Sequence, residues 1–205
     1  MARKAPEEQP EFTLGWSNAC RMFEHLTSEG ELPALPPMAI RLRSGEMAHA
    51  HGVLEYARFY GMDVTYQQSS TFVMGSPLFV AAGLIGSAVG NAYARNKAAD
   101  MARAQWRPQG PVRTVLTNQR ILCDVAGEWL GFWHEGILEL FAEPSQWMVI
   151  TRYEAGEPLL LRGPVALSYI VALTYIVYGR SGLASPWLGP IAQAVAARQR
   201  TLPGS

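Results

Sequence analysis

The feature that most restricts the fold of this chain is a long uncharged stretch in its middle. Residues 71–94 carry no charged side chain, and most of these positions are apolar. The stretch is long enough to cross a bilayer as a helix. Pro77 suits the first turn of such a helix, which would continue into a basic, alanine-rich stretch and end at residues 106–111. We therefore expect a glycine-rich helix within an insertion at 71–110.

Small residues recur at intervals of four along this expected helix. Such a face lets a second backbone approach closely, as in helix pairs within membranes. Each glycine costs up to about 1 kcal/mol relative to alanine in a helix, so ordinary core packing accounts less well for the pattern. The basic flank that follows suits contact with lipid headgroups. The residues predicted for helix packing or membrane contact are Ala82, Gly83, Gly86, Gly90, Ala94, Arg95 and Lys97.

The chain before the insertion divides into three parts. Residues 1–11 are polar and proline-rich, which is typical of a disordered arm. Within 12–37 the apolar residues recur at three- and four-residue steps and then give way to prolines, which predicts an amphipathic helix and a linker. A sheet region is expected to begin near Ile40, and a long strand is expected over 46–60.

The chain after the insertion contains short segments rich in branched and aromatic residues, separated by turn residues. This pattern is typical of a meander or barrel. The segments are 112–117, 120–125, 129–134, 137–141, 147–153 and 158–162. A nearly continuous apolar run at 164–178 follows, and its length fits a buried helix better than a membrane span. Residues 179–205 are predicted to be a surface appendage with a short final helix.

The order of these elements resembles the PH-like superfold, particularly the bacterial PH-like and GRAM-like family. Two short motifs support the resemblance: Gly45-Glu46 at the start of the opening strand, and Thr117-Asn118-Gln119-Arg120 at a central hairpin. The resemblance covers residues 38–178. It implies an α+β fold with a seven-stranded bent barrel and a C-terminal capping helix, to which this chain adds an N-terminal helix and the inserted helix.

The hairpin motif also has a direct physical interpretation. Asn118 tolerates the left-handed backbone of a tight turn, and Thr117 suits the end of the strand before it. Arg120 would then begin the return strand. The predicted turn residues are therefore Thr117, Asn118 and Arg120.

The charge balance limits the classes of binding partner, and the cysteine spacing indicates the redox state of the thiols. Lysine and arginine number 17, equal to aspartate and glutamate, which argues against a dedicated nucleic-acid binder. Only Arg41, Arg43 and Arg58 are basic near the first hairpin, too few to support a phosphoinositide pocket, since anion sites need convergent donors. Cys20 and Cys123 lack CxxC spacing and are expected to be buried, reduced thiols.

The start of the chain bears on its location in the cell. It has no apolar region typical of a signal peptide. We therefore expect a cytoplasmic location, with association at the inner face of the cell membrane if the apolar segment meets lipid.

Catalytic and cofactor motifs are not recognisable in the sequence. We find no nucleophile elbow, phosphate-binding loop, dinucleotide fingerprint or HExxH pattern, so neither an enzyme nor a cofactor is expected. His49 and His51 would share one strand face, with His134 and Glu135 as further candidates. A zinc site needs three or four ligands, so the sequence does not predict a metal.

Three functional hypotheses follow. The first is a non-catalytic binding or scaffold module that docks the glycine-rich helix on a membrane surface or in a homo-oligomer. The alternative is an integral membrane component with one or two inserted apolar helices, at 71–94 and 164–178. The third is an unrecognised metal-dependent hydrolase built around His49, His51 and His134.

Topology limits the second hypothesis. If the strand at 46–60 pairs with strands after 111, both flanks of the apolar run must lie on the same side of a bilayer. A single crossing would separate strands that belong to one sheet. The remaining arrangements are an interfacial or re-entrant helix, a hairpin, or burial in an oligomer.

Overall fold

The computed structural model describes residues 10–28, 30–60 and 105–201. The predicted glycine-rich helix, with Ala82, Gly83, Gly86, Gly90, Ala94, Arg95 and Lys97, lies outside the described residues. The chain divides into two compact units, one of Met1–Arg58 with Pro108–Ser205 and the other of Phe59–Arg107. Of the second unit, only the ends of two strands are described.

The described residues form an α+β fold with seven strands and three α-helices. The helices are α1 (Pro10–Ser28), α2 (Ala166–Tyr178) and α3 (Gly189–Thr201). The strands are β1 (Ala48–Tyr60), β2 (Gln105–Thr117), β3 (Arg120–Val125), β4 (Glu128–Trp133), β5 (Ile137–Glu143), β6 (Met148–Tyr153) and β7 (Leu159–Arg162). The predicted long strand and the six short segments after the insertion are thereby confirmed as strands.

The strands form one antiparallel sheet in the order β4-β3-β2-β1-β7-β6-β5. The first strand therefore lies in the centre, between two three-stranded meanders. On one side β2 pairs with β3 so that Leu116 lies opposite Ile121. On the other side β1 pairs with the last strand, with Tyr56 opposite Leu161.

The sheet is not closed, so the prediction of a complete barrel is wrong. β4 and β5 are consecutive in sequence but occupy opposite ends of the hydrogen-bonded order. Only the 3₁₀ turn His134–Gly136 joins them, and four Cα–Cα steps span at most about 15 Å. The two edge strands therefore approach at this corner without pairing, and the predicted run of consecutive neighbours is interrupted there.

Helix α2 forms the centre of the core. Every residue from Ala166 to Thr174 is buried, and the helix contacts β5, β6 and α1. A helix that is apolar on all sides needs cover on all sides, and the sheet and α1 provide it. The prediction of a buried helix at 164–178 is confirmed, with its start at Ala166.

The N-terminal helix is longer than expected, and the sheet starts later. α1 begins at Pro10, a residue suited to the first helical turn, so positions 10 and 11 belong to the helix and not to a disordered arm. The stretch from Ile40 to Arg43 is not a strand. Its alternating apolar residues, including Leu42, instead pack on a small cluster around Val115.

The described end of the insertion is a strand and not the end of a helix. Residues 105–111 form the first half of β2. The pairing of β2 with β3 covers Arg113–Leu116, and β3 ends at Val125, opposite position 112. Pro108 and Pro111 therefore lie beyond the end of β3. Proline has no N–H to donate, but at these positions no β3 residue lies opposite to accept a hydrogen bond.

The C-terminal segment belongs to the core and is not a surface appendage. Two 3₁₀ turns, Arg180–Ala184 and Pro186–Leu188, lead into α3. Leu188 and Ile191 are fully buried, and α3 contacts α1. The alanine-rich composition gave little sign of this role, because only a few large apolar residues of the segment, such as Leu188 and Ile191, enter the core.

Candidate functional site

The two family-like motifs meet in the fold. Arg120 at the start of β3 donates two hydrogen bonds to Glu46, from Nε to Oε1 at 2.8 Å and from Nη2 to Oε2 at 3.0 Å. The Glu46 side chain is 0% exposed, and that of Arg120 is 14% exposed. A bidentate pair of this kind fixes orientation as well as distance. We call Glu46, Thr117, Asn118 and Arg120 the motif cluster.

Asn118 joins the turn to the residues that precede β1. Its Nδ2 donates to the Gly45 carbonyl at 3.0 Å, and its Oδ1 accepts from the Met47 N–H at 2.8 Å. Its own N–H donates to the Met47 carbonyl. The side chain therefore acts as a clamp between two segments that are far apart in sequence.

The predicted left-handed conformation of Asn118 is wrong. Among the described non-glycine residues, only Ala126 and Trp147 have a positive φ. The left-handed two-residue turn of this meander is Ala126–Gly127, between β3 and β4. At the β2–β3 turn, the Thr117 hydroxyl instead accepts the N–H of Gln119 and of Arg120, so a side-chain cap stabilises the turn.

The electrostatics of Glu46 follow from its contacts. Burial alone would raise the pKa of this carboxyl group. Hydrogen bonds from Arg120, from the Arg43 N–H and from the Thr117 hydroxyl, together with the Arg120 charge, outweigh burial and place the pKa below its usual value. Glu46 is therefore a fully bonded carboxylate, which makes it a structural anchor and a poor general base.

His134 lies beside the motif cluster. Its Nε2 is 2.9 Å from the Thr117 carbonyl, and because a carbonyl only accepts, Nε2 must carry the proton. Its Nδ1 is buried and has no hydrogen-bond partner within the described part of the chain. Burial, only partly offset by the Thr117 carbonyl and the Glu46 charge, lowers the pKa of His134. The ring is thus neutral and fixed in one tautomer.

A cleft of about 550 Å³ opens next to the motif cluster. Its wall includes Asn118, His134 and Trp133. The guanidinium groups of Arg43 and Arg120 lie 4.1 and 4.7 Å from the Trp133 ring centroid. Among the described residues that line the cleft, none carries a hydroxyl or a thiol that a base could activate.

The remaining histidines lie elsewhere, between α1 and β1. His25, His49 and His51 line a cleft of about 580 Å³. His49 is buried and its Nδ1 is 2.9 Å from the Pro33 carbonyl, whereas His51 is exposed. Within residues 10–28, 30–60 and 105–201, no three His, Cys, Asp or Glu side chains are placed to hold a metal ion. His134 lines a different cleft, although His49 is near enough to add to the lowering of the His134 pKa.

The basic residues near the first hairpin point to different partners. Arg58 forms an ion pair with Glu157 at 2.7 Å, and Arg43 stacks on Trp133.

The predicted buried thiols are confirmed, since both cysteines are free and buried.

The aromatic residues of the strand region divide into two groups. Phe132 and Trp147 are buried, while Trp129 is 38% exposed. Trp133 is half-buried. Phe59 and Trp106, at the ends of β1 and β2, contact each other with ring centroids 5.4 Å apart.

The turn residues Thr117 and Arg120 were predictable from the sequence, but their shared partner Glu46 was not. Glu46 entered only as part of a motif, although a carboxylate needs a cationic partner when it is buried. That need, together with Arg120 in the hairpin motif, was the sequence signal that could have indicated the ion pair.

Within the part of the chain that the structure describes, no helix combines the length and the hydropathy that a membrane span requires. No protein-family model, curated protein or solved structure shows a significant match to this chain. Its function therefore has to be argued from its own residues.

Proposed function

We propose that this chain is a non-catalytic binding or scaffold module of PH-like fold, which docks its glycine-rich segment on a membrane surface or on a second copy of itself. The coarse architecture supports the PH-like assignment. The described residues form seven strands, with a long insertion after the first strand and a helix after the last. The motif cluster adds support, because both family-like motifs contribute to one buried contact.

The observation that carries the docking proposal is the position of the two chain ends that flank residues 61–104. β1 and β2 are neighbours in the sheet, and Phe59 contacts Trp106. The segment therefore leaves and returns at one place. An insertion attached in this way can be presented to a surface without disturbing the sheet, whereas a single bilayer crossing would separate its two ends.

The residues at this attachment point suit an interface. Phe59 and Trp106 remain 37% and 36% exposed, and aromatic residues are enriched where proteins meet the boundary between lipid and water. The basic residues Arg95 and Lys97 follow the apolar stretch. A membrane surface thus meets aromatic, apolar and cationic groups from one region of the chain.

The test uses full-length protein with vesicles of phosphatidylcholine, with and without phosphatidylglycerol, and measures both flotation and oligomer size in mild detergent. Leu84→Lys/Val89→Lys should abolish both docking modes, because a charge in the apolar segment costs about 2.5–3.5 kcal/mol per residue in a lipid environment. Phe141→Ser, an exposed site on β5, is the control and should behave as wild type.

Gly86→Leu/Gly90→Leu separates the two modes. A helix pair would be wedged apart and self-association lost, whereas a lipid-facing position would accept leucine and gain apolar area. We expect loss of self-association. The proposal fails if wild-type protein neither floats nor self-associates, or if the double lysine variant does either as well as wild type.

A further inference from the structure

The open side of the sheet forms a groove of about 440 Å³. Its lining includes Gly131, Phe132 and Trp133 on β4, together with Tyr153 at the end of β6 and Glu154 after it. The groove thus lies beside β4, which is one of the two edge strands of the sheet. A single additional strand could pair with this edge.

The outer edge of β4 carries backbone groups that make no ladder bond to another described strand. The two-residue turn Ala126–Gly127 makes Val125 and Glu128 a hydrogen-bonded pair, and such pairs alternate along an antiparallel ladder. The His134 N–H bonded to the Gln119 carbonyl continues the same alternation. The N–H and C=O groups that point away from β3 are those of Trp129, Gly131 and Trp133.

The two edge strands of the sheet differ in protection. Natural edge strands avoid pairing through bulges, prolines and charges. β5 has an irregular register between Ile137 and Glu139, and Pro144 follows its end. β4 pairs with β3 in unbroken register and contains one charged residue, Glu128, at its start. Among the described strands, β4 is therefore the edge better suited to accept a partner strand.

The groove is predominantly acidic. Glu135, Glu154 and Glu157 line it, and Arg58 is the one cationic side chain among its described lining residues. Arg58 pairs with Glu157, which leaves the other two carboxylates without an ion pair among the described residues. The groove therefore presents an acidic rim to a cation.

We propose that the groove binds an extended peptide in which apolar residues alternate with lysine or arginine, added to β4 as an eighth strand. Main-chain bonds to Trp129, Gly131 and Trp133 would give affinity, as in other strand additions. Because side chains alternate along a strand, one set meets Phe132 and Tyr153 while the other meets the carboxylates. This inference does not depend on residues 71–94.

The probe is the capped pentapeptide Lys-Val-Lys-Val-Lys, titrated calorimetrically into full-length protein. The comparison peptides are Glu-Val-Glu-Val-Glu and a form of the lysine peptide N-methylated at alternate residues. We expect the lysine peptide to bind at least about tenfold more tightly than either, because the first comparison reverses the charge and the second removes ladder donors. Hydrogen exchange should slow at the amides of Trp129, Gly131 and Trp133.

Variants locate the site. Gly131→Pro removes an N–H that β3 does not use, so binding should weaken at least about tenfold. Because a Cβ at this position would lie 3.2 Å from the Arg120 side chain, the denaturation midpoint of the variant is measured beside its binding. Glu135→Gln/Glu154→Gln changes only exposed carboxylates and should weaken binding about three- to tenfold. Glu128→Gln, on the same strand but outside the groove wall, is the matched control and should bind as wild type.

Several results would overturn the proposal. They are equal binding of the lysine and glutamate peptides, equal binding of the N-methylated peptide, or unchanged binding by both the proline and the double glutamine variants. Residues 129–133 read Trp-Leu-Gly-Phe-Trp, a nearly palindromic order that could also pair with itself. Concentration-dependent protection of the Gly131 amide without peptide would therefore identify a second copy as the occupant and reject a peptide.

Discussion

At the scale of single residues, Glu46 shows how a buried charge is held. Taking a carboxylate out of water costs several kcal/mol, which an ion pair offsets only when geometry is good and the remaining lone pairs are bonded. Here Arg120, Thr117 and the Arg43 N–H meet that condition. If Glu46 lost any of these partners, its buried charge would be incompletely compensated. The hydrogen bonds around Glu46 therefore stabilise the fold only when all of them are present.

Asn118→Ala tests the clamp between the turn and the residues before β1. The substitution removes two side-chain hydrogen bonds, to Gly45 and Met47, and should lower the free energy of unfolding by about 1–3 kcal/mol. Gln119→Ala, one position away, should change it by less than about 0.5 kcal/mol. Denaturant titration of the three proteins gives the comparison, and equal midpoints would show that the clamp contributes nothing.

His134 should make stability depend on pH near neutrality. Its pKa in the fold is lowered, while the unfolded chain has the ordinary value of about 6.5. Above about pH 6.5 both states are neutral and the stability is complete. As pH falls below that value the unfolded state binds the proton first, so stability declines until pH reaches the folded pKa, with a slope of up to about 1.4 kcal/mol per pH unit.

His134→Gln removes this titration while keeping a donor for the Thr117 carbonyl. Urea midpoints between about pH 7.5 and 5 should therefore vary less for this variant than for wild type. His51→Gln, at an exposed position, should retain the wild-type slope. A wild-type midpoint that is constant across the range would contradict the lowered pKa.

At the scale of elements, α1 approaches the start of α2 very closely. A Cβ built on Gly15 would lie 2.0 Å from the Pro164 carbonyl oxygen, a distance that no side chain tolerates. Pro164 belongs to the backbone turn before α2, which cannot move aside as a flexible side chain would. The glycine is therefore required by the contact between α1 and this turn.

Gly15→Ala decides between two opposing effects. Alanine favours a helix over glycine by up to about 1 kcal/mol, but overpacking against fixed backbone costs about 1–3 kcal/mol. The clash should dominate and lower the thermal midpoint. Leu14→Ala, at a neighbouring position that is 58% exposed, is the control and should have little effect; a stabilised Gly15→Ala would mean that α1 can shift away from the turn.

Local patterns explain which elements could be predicted. The strands after the insertion combine branched residues with clear turn residues, and α2 is apolar on every side, so both were recognisable. The final helix was predicted, and α3 confirms it. Residues 105–111 and the burial of α3 were misjudged because prolines and alanines carry little periodic signal, and only their neighbours decide whether they join a sheet or a core. The conformation of Asn118 was misjudged for a related reason, since its distant partners Gly45 and Met47 determine its role.

At the scale of the whole molecule, the long-range contacts were beyond sequence reasoning. The ion pair between Glu46 and Arg120 joins positions 74 residues apart, and no local pattern specifies such a partner. The same holds for the gap between β4 and β5, which depends on how the entire sheet bends. The individual residues of the motif cluster were therefore predictable from the sequence. The groove beside β4 was not.

The central position of β1 also has a consequence for how the protein is made. Arg58 on β1 and Glu157 beside β7 are 99 residues apart, and ribosomes add about 5–20 residues per second, so β1 emerges roughly 5–20 seconds before its last partner. During that interval one edge of the future central strand has no neighbour. Pairing with β2 covers only the other edge of β1, so a chaperone would have to shield this edge until β7 emerges. Premature termination before β7 would release a product with an exposed, aggregation-prone edge.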